Sequence, residues 1–417
     1  MSDHAAPVPD TPQAAADVRL LSHAGLLPMI AGRSLSSFAS QMQAVVLGWQ
    51  IYALTGRAFS LGLIGLAQFL PVVTLIFVAG HVVDRGDRRR IAAVCQVLEG
   101  LAALALAAAA FSHAATPALI YGLVIASGAA RAFESPSMQA ILPGLVPAAL
   151  FPRAAALSSS LFQVATIVGP SLGGLLYGFG PGIAYCAVGA AFLVASGSTW
   201  LVPAVGRAAA RPAPSLAAFF GGVTFIRRRP DILGAISLDL FAVLLGGATA
   251  LLPVFARDIL HAGPVGLGLL RGAPAVGALA VSLWLARRPM RRRLGHRMFV
   301  AVALFGVGTI VFGLSRSLPL SVAALALLGA ADVVSVVIRS SLVQIRTPDE
   351  MRGRVAAVNL LFIGSSNQLG EFESGTLAAL VGAVPAVVLG GIGTLVVAGL
   401  WMGLFPGLRR LDRIEEG

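Results

Sequence analysis

The sequence predicts an all-α integral membrane protein of twelve transmembrane helices, arranged as two six-helix pseudo-symmetric repeats. Three observations carry this. First, the chain is 57% hydrophobic and 12% charged, against roughly 45–50% and about 25% for a soluble protein. Second, apolar runs of the ~20 residues that a bilayer crossing needs recur twelve times along it. Third, the second half repeats the first. Gly128-Ala129-Ala130-Arg131 aligns with Gly329-Ala330-Ala331-Asp332, Pro147 with Pro348, Arg153 with Arg354, Gly169 with Gly370 and Gly174 with Gly375, all 201 residues apart. Upstream, Pro71 aligns with Pro274 and Arg88–Arg90 with Arg291–Arg293 at an offset of 203. Two equivalent apolar halves are the pattern of duplicated membrane transporters.

The expected spans run 25–54, 60–83, 91–112, 117–137, 154–178 and 182–202 in the first half. In the second they run 231–256, 264–286, 297–315, 320–344, 354–380 and 383–405, with only Gly382 and Pro385 marking the last turn. This divides the chain into an N-terminal arm (1–24), a first bundle (25–202), a linker (203–230), a second bundle (231–406) and a tail (407–417). The arm carries Asp3, Asp10 and Asp17 and lacks the basic start and apolar core of a cleavable signal. In the linker, Leu216, Phe219, Phe220, Val223 and Ile226 fall near helical spacing before three arginines, which predicts an amphipathic helix over 215–229 on the membrane surface.

All 30 basic residues are arginine, and 23 of them lie in the N-terminal arm, the even-numbered loops and the tail. The positive-inside rule therefore predicts a multi-pass membrane protein with both termini cytoplasmic, and the bacterial inner membrane is the expected location. The same distribution accounts for the net charge of +12 as topology and excludes nucleic acid as a partner. Cys95 and Cys186 both lie in apolar runs and read as inert thiols. No histidine pair has metal-ligand spacing, no nucleophile has a paired base, and no phosphate-cradling Gly-x-x-x-x-Gly-Lys-Ser/Thr is present. No enzyme, metal or cofactor is expected.

After the second span the chain reads Gly80-His81-Val82-Val83-Asp84-Arg85-Gly86-Asp87-Arg88-Arg89-Arg90. This resembles the loop motif Gly-x-x-x-Asp-Arg-x-Gly-Arg-Arg of the Major Facilitator Superfamily, with Asp87 where the pattern has its second glycine. The resemblance implies that Gly80, Asp84, Arg85 and Arg88 form a latch between spans two and eleven, closed in the outward-open state. Gly128-x-x-Arg131 in span four resembles the superfamily's span-four arginine, often tied to proton coupling. Gly169-Pro170-Ser171-Leu172-Gly173-Gly174 in span five resembles the Gly-Pro motif of its exporters, where the proline gives a bend point. Arg131 through Gly174, together with Thr347–Val355, is similar to the branch containing the enterobactin exporter and macrolide efflux proteins. In this fold spans one, four, seven and ten line the cavity, which singles out Arg33, Arg131, Asp239 and Asp332.

Ionisable side chains inside a bilayer are costly and mark function by default. Glu371 and Glu373 in span eleven stand where the first half has Pro170 and Leu172. Two residues apart, they point about 200° apart on a helix, so one is expected in the pathway and the other on a neighbouring helix. Asn367 shares the face of Glu371. A carboxylate alternating between apolar surroundings and an arginine changes its proton affinity and so can couple transport to protons. Arg131 and Asp332, at repeat-equivalent positions, could face each other across the pathway. Glu134 could neutralise Arg131, and Glu99, Arg271 and Arg339 are expected to snorkel toward span ends.

These readings converge on a secondary exporter, a proton antiporter of a small amphipathic molecule such as a siderophore or drug, working as a monomer in the lipid bilayer by alternating access. The other readings are a lipid or lysolipid flippase of the same fold, with a more apolar and laterally open cavity, and a non-transporting membrane sensor.

Overall fold

The computed structural model describes residues 23–204, 216–288, 290 and 292–413. The residues before 23, the linker stretch 205–215, Arg291 of the repeat match and the last four residues lie outside the described residues. The first half folds as α1 (Leu26–Thr55), α2 (Ala58–Arg85), α3 (Arg88–Phe111), α4 (Pro117–Leu145), α5 (Phe151–Tyr177) and α6 (Pro181–Trp200). A short helix α7 (Leu216–Arg227) follows. The second half is α8 (Pro230–Leu245), α9 (Gly263–Arg287), α10 (Leu294–Leu314), α11 (Leu318–Arg346), α12 (Asp349–Val381) and α13 (Ala383–Leu404). The twelve long helices match the twelve expected spans.

The ends of these helices follow from local chemistry. Proline occupies the first turn of α4, α6, α8 and α9, where its missing N–H is no loss. Thr116 caps α4 by accepting from the Leu119 amide. Asp87 caps α3, accepting from the amides of Arg89 (3.1 Å) and Arg90 (3.4 Å). Gly56 and Gly382 leave the right-handed region, with φ of 62° and 92°, and so end α1 and α12.

Span seven departs from the expected continuous helix over 231–256. α8 stops at Leu245, and Gly246-Gly247 lead into a 3₁₀ turn (Ala248–Leu251), a helical turn (Leu252–Val254) and a π-helical turn (Phe255–Ile259). Two consecutive glycines supply the break, since neither favours helix.

The duplicated sequence folds into a duplicated packing scheme. In the first half α3 packs on α6, α2 on α4, α3 on α4, and α1 on both α5 and α6. The second half repeats every one of these pairings: α10 on α13, α9 on α11, α10 on α11, and α8 on both α12 and α13. The halves meet along two seams, α5 against α9 and α12 against α2, which the repeat also interchanges. Residues matched in the sequence sit in matched places. Gly174 faces Pro264 and Gly268 across one seam, and Gly375 faces Gly62 and Ala58 across the other. Within the halves, Gly128 packs on Gln68 and Pro71, and Gly329 packs on Pro274. Small residues let helix backbones approach closely where lipid offers no competing hydrophobic drive.

The helix expected in the linker is present as α7. Its Ile226 is 3% exposed, in one apolar cluster with Ile232, Ile236, Val343, Val355 and Val358. The segment is thus docked on α8, α11 and α12 through its apolar face as well as amphipathic in sequence.

Nine helical segments among the described residues are long and apolar enough to cross a bilayer on composition alone. The three long helices outside that set, α1, α4 and α12, carry the polar residues described next.

Candidate functional site

A cavity of about 460 Å³ is walled mainly by the first half and reached from the second by Arg271 and Gln368. From α1 it is lined by Arg33, Ser36, Ser37, Ser40, Gln43 and Leu47, residues three or four apart that share one helix face. From α4 it receives Ser127, Arg131, Glu134, Ser135 and Met138 on the same spacing. Gln68 of α2, Glu99 of α3, Phe162 of α5, Arg271 of α9 and Gln368 of α12 complete the wall. The polar periodicity that lowers the hydropathy of α1 and α4 is therefore the periodicity of one buried wall.

The charges in this wall are layered. The Arg131 side chain is 45% exposed, and its Nε lies 3.4 Å from Oε1 of Glu99, whose side chain is 1% exposed. The other Glu99 oxygen, Oε2, has no hydrogen-bond partner among the described residues. Glu134 is also buried and accepts from Ser36 Oγ (2.5 Å) and Gln96 Nε2 (2.9 Å). Gln96 in turn accepts from Thr199 Oγ1 (2.9 Å), which ties α1, α3, α4 and α6 into one network. Arg33 donates through Nη1 to Ser158 Oγ (3.1 Å) and sits 6.0 Å from the ring centre of Phe162. Among the described residues no carboxylate pairs with it.

A second cluster stands inside the other half. Asp239 of α8 pairs with Arg339 of α11, both almost wholly buried. Asp332 and Ser335 share a gap of about 10 Å³ with Asp239, at the lower limit for one water. Near the first cavity, Arg271 of α9 and Glu371 of α12 form a long pair at 4.0 Å.

At the end of the bundle where α1 turns into α2, Tyr52 of α1 donates its hydroxyl to Asp258 on the π-helical turn. Arg257 donates to the Tyr52 carbonyl oxygen (3.2 Å) and lies 5.6 Å from its ring centre. These contacts clasp the two halves at the end where both glycine seams also close.

The expected site residues are thus distributed unevenly. Arg33 and Arg131 line the cavity. Asp239 and Asp332 do not: they belong to the Arg339 cluster, because α8 and α11 turn those faces toward each other. Arg131 therefore pairs with Glu99 rather than facing Asp332, and among the described residues Glu134 accepts from Ser36 and Gln96 rather than from Arg131. Glu371 faces Arg271, whereas Glu373 accepts from Ser374 (3.4 Å). Asn367 is exposed, and its neighbour Gln368 lines the cavity instead. Glu99, Arg271 and Arg339 do not snorkel: Glu99 and Arg339 are buried, and Arg271 lines the cavity wall. Their helix phase relative to the polar face was the available signal, since Glu99 lies one turn after Cys95 and Gln96 on α3.

Gly169 and Gly173 pack on Phe38, Gln41 and Met42 of α1, and the Pro170 carbonyl faces Gly268 of α9. The Gly-Pro motif is thus a two-sided packing surface on a continuous helix. Gly80 lies inside α2, and Asp84 and Arg85 are exposed at its end. Arg88 donates to the Ala140 carbonyl oxygen (3.4 Å), and Asp87 pairs with Arg89 (3.5 Å) and Arg90 (3.3 Å). The aspartate that replaces the motif's glycine is therefore a helix cap.

Comparison with known proteins agrees with this architecture. The chain matches the transmembrane secretion effector family over residues 27–415. It is 27% identical to the multidrug efflux pump Tap of Mycobacterium tuberculosis over 392 residues, covering 88% of this chain and 90% of that protein. It is 26% identical to the enterobactin exporter EntS of Citrobacter koseri over 265 residues, 62% of each chain. Among solved structures, it is similar to a bacterial homologue of the lysosomal transporter Spinster in an inward-facing, occupied conformation (TM-score 0.73, 14% identity, 91% of this chain and 96% of that one). It is also similar to a bacterial homologue of the iron transporter ferroportin in an inward-facing state (TM-score 0.69, 16% identity, 91% and 98%). At such identities the structural likeness concerns the fold. With a duplicated twelve-helix architecture and a family match along nearly the whole chain, the protein belongs to the transmembrane secretion effector family of Major Facilitator Superfamily transporters.

Proposed function

We propose that the protein is a secondary exporter of small amphipathic molecules, driven by proton antiport through alternating access. The observation that carries the reading is a polar, charged cavity walled mainly by the first half and capped by Arg271 and Gln368 of the second, in a bundle whose halves close at one end through both glycine seams and the Tyr52–Asp258 clasp. With the arginine-rich ends cytoplasmic, as the positive-inside rule requires, that closed end faces outward and the chain stands inward-facing. Both termini are then cytoplasmic, in the bacterial inner membrane. The resemblance to Tap and EntS, named for a drug efflux pump and a siderophore exporter, supports the outward direction.

In this reading Glu99 and Glu134 are the first candidates to carry the proton, since both line the cavity and Glu99 has an unpartnered oxygen. Glu371 is a second candidate, held among the described residues by a long pair to Arg271. Gly80, Asp84, Arg85 and Arg88 lie at the end opposite the clasp and serve as the latch when that end closes. The serine- and glutamine-lined wall fits a polar cargo group better than a lipid tail, which disfavours the flippase reading.

The test is accumulation of labelled amphipathic compounds in cells with and without the protein, repeated with a protonophore. Lower accumulation that is abolished by the protonophore is the expected result. An unchanged accumulation across the compound set would remove export, and a difference that survives collapse of the gradient would remove antiport.

A further inference from the structure

The cavity shows its cations and hides its anions. Arg131 is 45% exposed, whereas its partner Glu99 is 1% exposed and lies behind it. Glu134 stands in the wall but is buried, with its Oε1 engaged by Ser36 and Gln96. Arg33 stands in the same wall with a serine hydroxyl and an aromatic ring as partners, and no carboxylate among the described residues. A guanidinium held within a membrane-spanning bundle without a counterion is costly, and a planar five-donor fork suits a carboxylate, sulfonate or phosphate oxygen pair. The exposed ring of Phe162 lies beside Arg33 and offers an apolar face at the same place.

We infer that the cavity is a binding site for amphipathic organic anions, with Arg33 taking the anionic group, Phe162 the adjoining apolar or aromatic part, and Arg131 providing a second cationic contact. This rests on the export reading only for what happens after binding. It predicts an order of affinities set by charge: anion above neutral, neutral above cation. Arg33 is the specificity-determining residue of the three, because Arg131 already has an acid behind it.

The test uses the full chain in lipid nanodiscs and three tritiated probes of one shape, naphthalenesulfonate, naphthylmethanol and naphthylmethylammonium, with binding measured at equilibrium against empty nanodiscs. The expected result is at least about tenfold tighter binding of the sulfonate than of the alcohol, the low end for a charge-assisted contact. Arg33→Gln should cut most of that preference, leaving the part that Arg131 supplies, and Arg33→Lys should restore part of it. Equal binding of sulfonate and alcohol, tighter binding of the ammonium, specific binding of none of the three, or a sulfonate preference retained in full in Arg33→Gln would each overturn the inference. If Arg33→Gln does not purify folded, the probe series on the natural chain and on Arg33→Lys decides it. Failure of the export reading is told apart by the accumulation assay. An Arg33-dependent anion preference with no accumulation difference keeps the site and removes export. Protonophore-sensitive efflux of cationic compounds alone keeps export and removes the anion class.

Discussion

Arg339 and Asp239 show what a buried charge does when its partner is held in place. Both are almost wholly out of contact with solvent, so deleting one leaves the other as an uncompensated charge, at a cost of about 3–5 kcal/mol. Arg339→Ala should therefore lower the thermal stability of the purified protein in detergent sharply, and Asp239→Asn combined with Arg339→Gln should recover part of the loss. A neutral effect of Arg339→Ala on the melting temperature would contradict the pairing. Residue partners of this kind were the least legible part of the sequence. That charges sit inside spans is plain from hydropathy, but which charge meets which depends on helix rotation. One step along a helix turns a side chain by about 100°, which separates exposed Asn367 from cavity-lining Gln368. The cavity residues that were legible, Arg33 and Arg131, lie on helices whose polar residues repeat every three or four positions.

Among elements, the α2–α3 turn and the two seams carry the clearest consequences. Asp87 accepts from two amides at the start of α3, so Asp87→Ala should cost about 0.5–2 kcal/mol. Asp87→Gly, which restores the superfamily's pattern, should cost only a few tenths. Chemical or thermal unfolding of the two variants checks the order. At the seams, a Cβ on Gly375 would come within 2.7 Å of Gly62, whereas one on Gly353 would meet nothing within 4 Å. Gly375→Val should therefore abolish transport, and Gly353→Ala should leave it unchanged. Loss of activity in both, or in neither, would show that close approach at the seam is not what matters. The repeat matched Gly174 with Gly375 in the sequence, but that both stand where the halves meet depends on helix packing and came only with the structure. The break in span seven was not legible either. Gly246-Gly247 sit in an unbroken apolar run, and hydropathy alone does not register a helix that stops while the chain stays buried.

For the whole molecule, the clasp makes the conformational equilibrium accessible to experiment. In a background with Cys95 and Cys186 replaced, cysteines at Tyr52 and Asp258 should form a cross-link that arrests transport, and a reductant should release it. Tyr52→Phe removes the donated hydroxyl and should favour opening at that end. The readout is faster labelling of a cysteine placed at cavity-lining Ser40 by a membrane-impermeant thiol reagent added from outside. Unchanged labelling in Tyr52→Phe would mean that the clasp does not hold the closed state.

The glycine seams have a mechanical consequence of their own. Where Gly174 meets Gly268 and Gly375 meets Gly62, backbone lies against backbone. Such a contact can change its angle while keeping nearly the same atoms in touch, so rotation about it alters little dispersion energy. On the alternating-access reading the seams would act as bearings, and the polar contacts that bridge the halves among the described residues, Tyr52 with Asp258 and Arg257 and Gln163 with the Ala275 carbonyl oxygen, would act as brakes. Conformational preference in this chain should accordingly be tuned by single hydrogen bonds between the halves, such as that of Tyr52 with Asp258, without reshaping the cavity.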